Sequence, residues 1–237
     1  LRTAITNDSV TEIDMLLQQL GKTPFLNKEK PSPLDEALSI IFYLRYVYYD
    51  TIGELYKKVK NSFGTPSFTP AQDLIQMGFW PGGDRDGNPF VTAEITQQVA
   101  QELHLSILKS YYAHLKKIRR RLSFRGVSEI LDGLSDDLYD AIFKEEVDIS
   151  SEEILMKFRG AEKILIEQHN GLFKNILEDF KDRVKIFGTH FATLDIRQDS
   201  RVHQEIIDEI IAKKSGLNIE TVSVQEQLDW LLNTDII

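Results

Sequence analysis

"FWPGGDRDGNPFVT", residues Phe79–Thr92, places three glycines, two prolines, two aspartates, an arginine and an asparagine in fourteen positions. Segments with helical periodicity flank it on both sides. Glycine permits positive φ and close backbone approach. Aspartate and asparagine hydrogen-bond to their own backbone and favour turns. The local reading is a tight turn, Gly82 to Pro89, that feeds a helix capped by Thr92. Asp84-Arg85-Asp86 puts alternating charge on that turn. Whether the charges serve chemistry or only the turn is left open by local composition.

Upstream, "DLIQMGFW" (73–80) reads as a short buried strand leading into the turn. Downstream, no glycine or proline interrupts Phe90 to Arg125, which predicts a helix from Ala93 to about Leu122. All seven prolines lie at or before Pro89, so the rest of the chain is free to be helical. Helices are predicted at Val10–Leu20, with Ser9 and Glu12 at capping-box spacing, and from Ser32-Pro33 to Val59. Others are predicted at Asp136–Glu146, Glu152–His169, Leu172–Val184, Ser200–Lys214 and Val224–Asn233, the last boxed by Ser223 and Glu226. "NSFGTPSFTP" (61–70) is a loop by composition. "IFGTHFATLDI", Ile186–Ile196, is apolar and rich in β-branched and aromatic residues, which suits a second strand. The fold class is therefore mainly α, with two short strands that each end in a polar cluster. The chain shows no internal repeat.

The totals narrow the function. The chain has 237 residues, 42% hydrophobic and 27% charged, which fits a globular protein with a real core. A net charge of −9 argues against a nucleic-acid partner. With no cysteine, disulfides, thiolate metal sites and cysteine nucleophiles are excluded. No apolar run reaches the ~20 residues of a membrane span. No signal peptide is visible at Leu1, so a cytoplasmic location is expected. A start without Met and an end on "NTDII" read as a piece of something longer.

Several sharper readings of the turn fail on spacing. A calcium loop on Asp84, Asp86 and Asn88 would need its glycine sixth and an acid twelfth; Gly87 is fourth and Ile95 twelfth. "GGDRDG" is not G-x-G-x-x-G. Gly21-Lys22-Thr23 lacks the earlier glycine of a phosphate loop, Leu16 standing there. What remains is charge at two strand ends: Asp84-Arg85-Asp86 on the first, and Asp195, Arg197, Gln198 and Asp199 on the second. Parallel barrels place their chemistry at such ends. An arginine there suits a phosphate or carboxylate, which its planar fork grips at two points.

"GGDRDGNPFVT" (82–92), "FGTHFATLDIRQDSRVH" (187–203) and "KPSPLDEA" (30–37) resemble, in order and at roughly the right spacing, three motifs of the phosphoenolpyruvate carboxylase family. The resemblance runs from about Lys30 to Leu232. It implies that residues 1–237 are a single internal fragment of a longer enzyme. That parent would be an α/β, TIM-like barrel with many extra helices. The fragment would supply a strand and GGDRDGNP turn at 74–92 and a second strand with its DIRQ end at 186–199. The implied reaction joins phosphoenolpyruvate to bicarbonate, giving oxaloacetate and phosphate and feeding the tricarboxylic acid cycle. The enzyme would be a carbon–carbon lyase, a cytoplasmic homo-oligomer, using Mg²⁺ or Mn²⁺.

By the same resemblance, Arg197 matches an arginine among the groups that hold the substrate phosphate. Asp84, Arg85, Asp86, Asn88 and Gln198 match the loops framing that mouth, where they would orient and pair other groups. No catalytic or metal-ligating residue falls in this chain; the family's catalytic histidine, metal-binding Glu and Asp, and inhibitor-binding residues lie outside it. Three departures stand out. Trp80-Pro81 replaces an aromatic-Met pair, Asp199 replaces a Glu, and Arg201 is shifted by one position, about 100° around a helix. The alternative is a non-catalytic helical domain used for folding or subunit contacts.

Other features have plainer readings. "KKIRRRLSFR" (116–125) is the cationic end of a long helix, favoured by the dipole. His104 and His114 are too far apart to pair on a metal and are read as surface or filler residues. His190 is expected inside the second strand as a hydrogen-bonded core residue, and His203 has no derivable role. The aromatic run Phe42–Asp50 is read as helix packing. Strand edges cut from a barrel are open to pairing, so self-association, or helices covering the strand ends, is expected.

Overall fold

The computed structural model describes residues 2–7, 9–23, 30–62, 74–144, 148–215 and 223–233. The chain forms two compact units, Leu1–Ser32 and Pro33–Ile237. The first holds α1 (Arg2–Thr6) and α2 (Val10–Lys22). Ser9 precedes α2 but its side chain makes no capping bond, so the spacing to Glu12 overstates the cap.

The second unit is mainly helical. α3 (Pro33–Tyr43) begins on the proline expected at its first position, and a π-helical turn over Leu44–Tyr48 joins it to α4 (Tyr49–Ser62) without a break. That turn carries much of the aromatic run. Leu44 and Tyr49 are buried, whereas Phe42, Tyr43, Tyr46 and Tyr48 are exposed, so only part of the run packs inward. Residues 63–70 of the predicted loop, residue 73 of the predicted strand and residues 145 and 146 of the predicted helix fall outside the described residues.

α5 (Ala93–Arg119) is the central helix. The Thr92 hydroxyl accepts from the Ile95 amide. Val99, Leu103, Ile107, Tyr111, Leu115 and Ile118 recur at helical spacing and are almost wholly buried, the pattern of a helix facing a core. α6 (Val127–Phe143), α7 (Ser151–Gln168) and α8 (Lys174–Phe187) pack one on the next, and α8 returns against α4 and α5. Between them Phe158 and Phe180 stack at 4.4 Å. α6 starts well before the predicted Asp136. Gly126, at φ 82°, takes the N-cap position, and the Glu129 carboxylate accepts from its amide at 2.6 Å. A cap supplied from inside the helix hid its start. Ser150 and Glu153 form a full capping box for α7, and Ser223 and Glu226 pair the same way before α10 (Val224–Asn233).

Two strands, β1 (Gly78–Phe79) and β2 (Thr193–Leu194), pair in parallel, Gly78 with Thr193 and Phe79 with Leu194. Both are shorter than the apolar runs that predicted them. α8 claims Ile186 and Phe187, and Gly188 ends it at φ 55°. α9 (Ser200–Ser215) follows β2. Among the described residues no helix is long and apolar enough to cross a membrane.

Candidate functional site

The two strand ends are held together by backbone. Thr193 N–H donates to Met77 O at 2.8 Å and Asp195 N–H to Phe79 O at 2.7 Å. The first strand then loops out. The amides of Gly83 and Asp84 both turn back to Trp80 O, at 2.9 and 3.1 Å. Pairing resumes beyond the loop, where Arg197 N–H donates to Gly83 O at 3.0 Å and Arg85 N–H to Arg197 O at 2.9 Å. Asp84 and Arg197 are thus bridged partners, although 113 positions apart in sequence.

Two glycines make this bulge possible. Gly82 sits at φ 80°, and a Cβ there would lie 2.6 Å from a Val99 methyl; a Cβ on Gly83 would collide with the carbonyl oxygen of Asp195. The double glycine therefore lets the first strand press against the second and against α5. Pro81, the departure noted above, is buried in the same turn.

The side chains divide into those that build the turn and one that leaves it. Asp84 Oδ1 accepts from the Asp86 amide at 3.3 Å, and Asn88 Oδ1 from the Phe90 amide at 3.2 Å. Both are local turn bonds of the kind these residues favour. Arg85 runs inward, its Nη2 donating to Thr96 Oγ1 at 3.0 Å, while that hydroxyl donates to Gly82 O at 2.7 Å. The buried Nε of Arg85 has no partner among the described residues. Thr96 was not singled out from sequence; its place one turn after the Thr92 cap is the only signal it offers. Asp86 is exposed.

Arg197 differs from all of these. Its side chain is 64% exposed, and its Nη1 lies 3.5 Å from Asp84 Oδ2, itself 34% exposed. Its partner is Asp84, and the guanidinium stands in the open at the sheet's end. Gln198 folds back, its Oε1 accepting from the Asp199 amide at 3.0 Å. Asp199 is gripped at both oxygens by Arg201, at 3.0 and 2.7 Å. That pairing holds the Asp199 carboxyl below its usual range. The shifted Arg201 is thus turned onto its own helix start.

Trp80, Phe90 and Ile196 are exposed apolar residues in the same two strand-end segments. Among the described residues no three His, Asp or Glu side chains converge as metal ligands. Asp84 and Asp199 are paired with arginines, and with Asp86 and Asp195 they form no converging group, so no ligand set for a divalent cation is assembled there among the described residues.

The family model for phosphoenolpyruvate carboxylase matches residues 2–150 and 139–234. The chain belongs to the phosphoenolpyruvate carboxylase family. Relatives named phosphoenolpyruvate carboxylase include those of Nitrosomonas europaea, 26% identical over 262 residues, of Trichormus variabilis, 30% over 263, and of Shewanella loihica, 30% over 233. These matches cover 91%, 89% and 82% of this chain. They cover only 28%, 26% and 26% of the relatives. The chain therefore spans little more than a quarter of the length of these carboxylases.

His203 lies in the first turn of α9, its amide donating to Asp199 O at 3.3 Å, whereas His104, His114 and His190 lie outside the two strand-end clusters. His190 is exposed rather than in the core; β2 begins beyond it, and its ring lies 5.1 Å from that of His104. Burial of part of the ring, and then His104, push its pKa down. His104 is tied to Thr189 O at 2.6 Å. His114 is no filler: its Nδ1 meets Tyr49 Oη at 3.0 Å and its Nε2 lies 3.9 Å from Asp179. Beside them Arg183 is buried, ion-paired with Asp179 and lying over the Tyr49 ring at 5.5 Å. Sequence reading missed this group, whose members come from α4, α5 and α8.

Proposed function

We propose that this chain is the part of a phosphoenolpyruvate carboxylase that presents Arg197 to the substrate phosphate. The complete enzyme would add bicarbonate to phosphoenolpyruvate, releasing phosphate and forming oxaloacetate. The observation that carries the reading is Arg197 itself. It is fixed by two main-chain bonds at a strand end, and its guanidinium is open to solvent with one loosely held carboxylate beside it. A phosphoryl oxygen pair suits such a fork, and a cation there opposes the charge of the transferring group.

Asp84 would keep the guanidinium oriented until substrate displaces it. Arg85, Asp86, Asn88 and Gln198 would hold the turn and its neighbour in register. The strand pair would belong to a larger parallel barrel in the complete enzyme, and Mg²⁺ or Mn²⁺ would be held by residues outside the described ones, supplying the Lewis acid for the enolate. The chain alone is expected to form no oxaloacetate; metal-dependent product in a coupled assay of the purified chain would sink that assignment.

The direct test is Arg197→Ala in the complete enzyme. Losing one charge-assisted phosphate contact of ~1.5–3 kcal/mol predicts a roughly ten- to hundredfold fall in kcat/KM for phosphoenolpyruvate. Arg197→Lys should recover part of it, and bicarbonate kinetics should move less. A change within about twofold, below ~0.5 kcal/mol, leaves Arg197 as scaffold and favours a non-catalytic helical segment.

A further inference from the structure

A second concentration of positive charge lies on the helical face and shares no residue with the strand ends. A cleft of about 500 Å³ is lined by Lys57 of α4, by Lys117 at the end of α5 and Arg120 and Arg121 just beyond it, and by Asn175 in the first turn of α8. Its volume is in the range of small-ligand sites. None of the four cations has an ion pair among the described residues, whereas Arg119 is paired with Asp132 and Lys60 with Asp182.

The acid in the wall does not cancel them. Asp179 is engaged from behind by the buried Arg183. The histidine beside it, His114, is kept neutral, its pKa pushed down to about 4 by burial and then by Arg183. A solvated helix end explains cations on α5 alone. It does not explain Lys57 arriving from another helix, nor the first turn of α8 lining the same cleft. In a chain of net charge −9, convergence of unpaired cations from separate elements is a local reversal of sign that would concentrate an anion.

We propose that this cleft binds a small, multiply charged oxyanion of the phosphate-ester class, with Lys57, Lys117, Arg120 and Arg121 as its counter-charges and Asn175 as a neutral donor. Pyrophosphate serves as the probe, titrated into the purified chain by calorimetry at an ionic strength fixed with chloride. One saturable site is expected. Lys57→Gln with Arg121→Gln should weaken it at least about tenfold, since two charge-assisted contacts are lost. Lys163→Gln with Lys213→Gln removes the same charge from α7 and α9 and should change it less than about twofold. No saturable binding, or equal weakening in both pairs, overturns the proposal. Location is read independently in the unsubstituted chain: pyrophosphate should shift the amide resonances of Asn175 and Ile176. Shifts confined to other segments overturn it as well.

Discussion

Arg183 and Arg197 lie fourteen positions apart and live under opposite conditions. The Arg183 side chain is 4% exposed, paired with Asp179 in the helical core. Arg197 is 64% exposed at the end of a two-residue strand. The core arginine is a fixed structural charge, buried and ion-paired, although its Nε has no hydrogen-bond partner among the described residues. Gly53 of α4 leaves room for it, since a Cβ there would run into the guanidinium. The strand-end arginine has a rigid backbone and a loosely held head. Rigidity at the Cα with freedom at the guanidinium suits a ligand-binding group; rigidity at both ends suits a structural one. This contrast can be broken by experiment.

The largest effect belongs to Arg183→Ala. It leaves Asp179 unpaired in a mostly buried site and opens a void against Tyr49 and Gly53. Breaking a buried pair from one side costs about 3–5 kcal/mol, read as a lower midpoint in urea unfolding. Arg183→Met combined with Asp179→Leu removes both charges and keeps volume, and should restore at least half of the loss. If the single variant unfolds within about 1 kcal/mol of the parent, Arg183 is not structural and the contrast collapses.

His114 gives the next effect and ties it to pH. Burial and Arg183 depress its pKa from 6.5 to about 4. The unfolded chain therefore binds the extra proton first, between about pH 6.5 and 4, and stability falls as pH drops through that window. Between pH 7 and 5 the loss should be roughly 2 kcal/mol. Other acids titrate nearby, so the readout is the difference between the parent and His114→Gln. The variant should lack that part of the slope. Parallel pH profiles for the two would show that His114 is not held neutral by its surroundings.

The two regions also differ in how far they were legible. The turn could be read because its residues are chosen for backbone geometry: Gly82, Gly83, Asp84 and Asn88 each do locally what their residue type does best. Thr92 and Ser223 announced their helices for the same reason. The start of α6 was hidden because Gly126 has no side chain to announce a cap. The ends of both strands were overdrawn because an apolar run does not say where helix yields to strand; Gly188 decides that for α8. The Arg183 group was invisible because its parts come from three helices and meet only through packing. Arg197 was found by motif, but its exposure was not, since sequence says nothing of what covers a strand end.

The smallest expected effect is the stability change of Arg197→Ala, and it separates the two arginines most sharply. The bonds that place residue 197 are main-chain bonds, Arg197 N–H to Gly83 O and Arg85 N–H to Arg197 O, and alanine keeps both. What is lost is one solvent-exposed ion pair at 3.5 Å to a carboxylate that also accepts from the Asp86 amide. Exposed pairs of this kind contribute about 0–1 kcal/mol, and the loose geometry points to the lower half, under ~0.5 kcal/mol. The same substitution is expected to cost the complete enzyme ten- to hundredfold in kcat/KM, roughly 1.4–2.7 kcal/mol at the transition state. A large kinetic loss beside an unchanged unfolding midpoint would mark a group that acts on substrate. If instead the midpoint falls by more than about 1 kcal/mol, the guanidinium is holding the turn to the second strand, and its kinetic loss would follow from a displaced loop rather than from a missing phosphate contact.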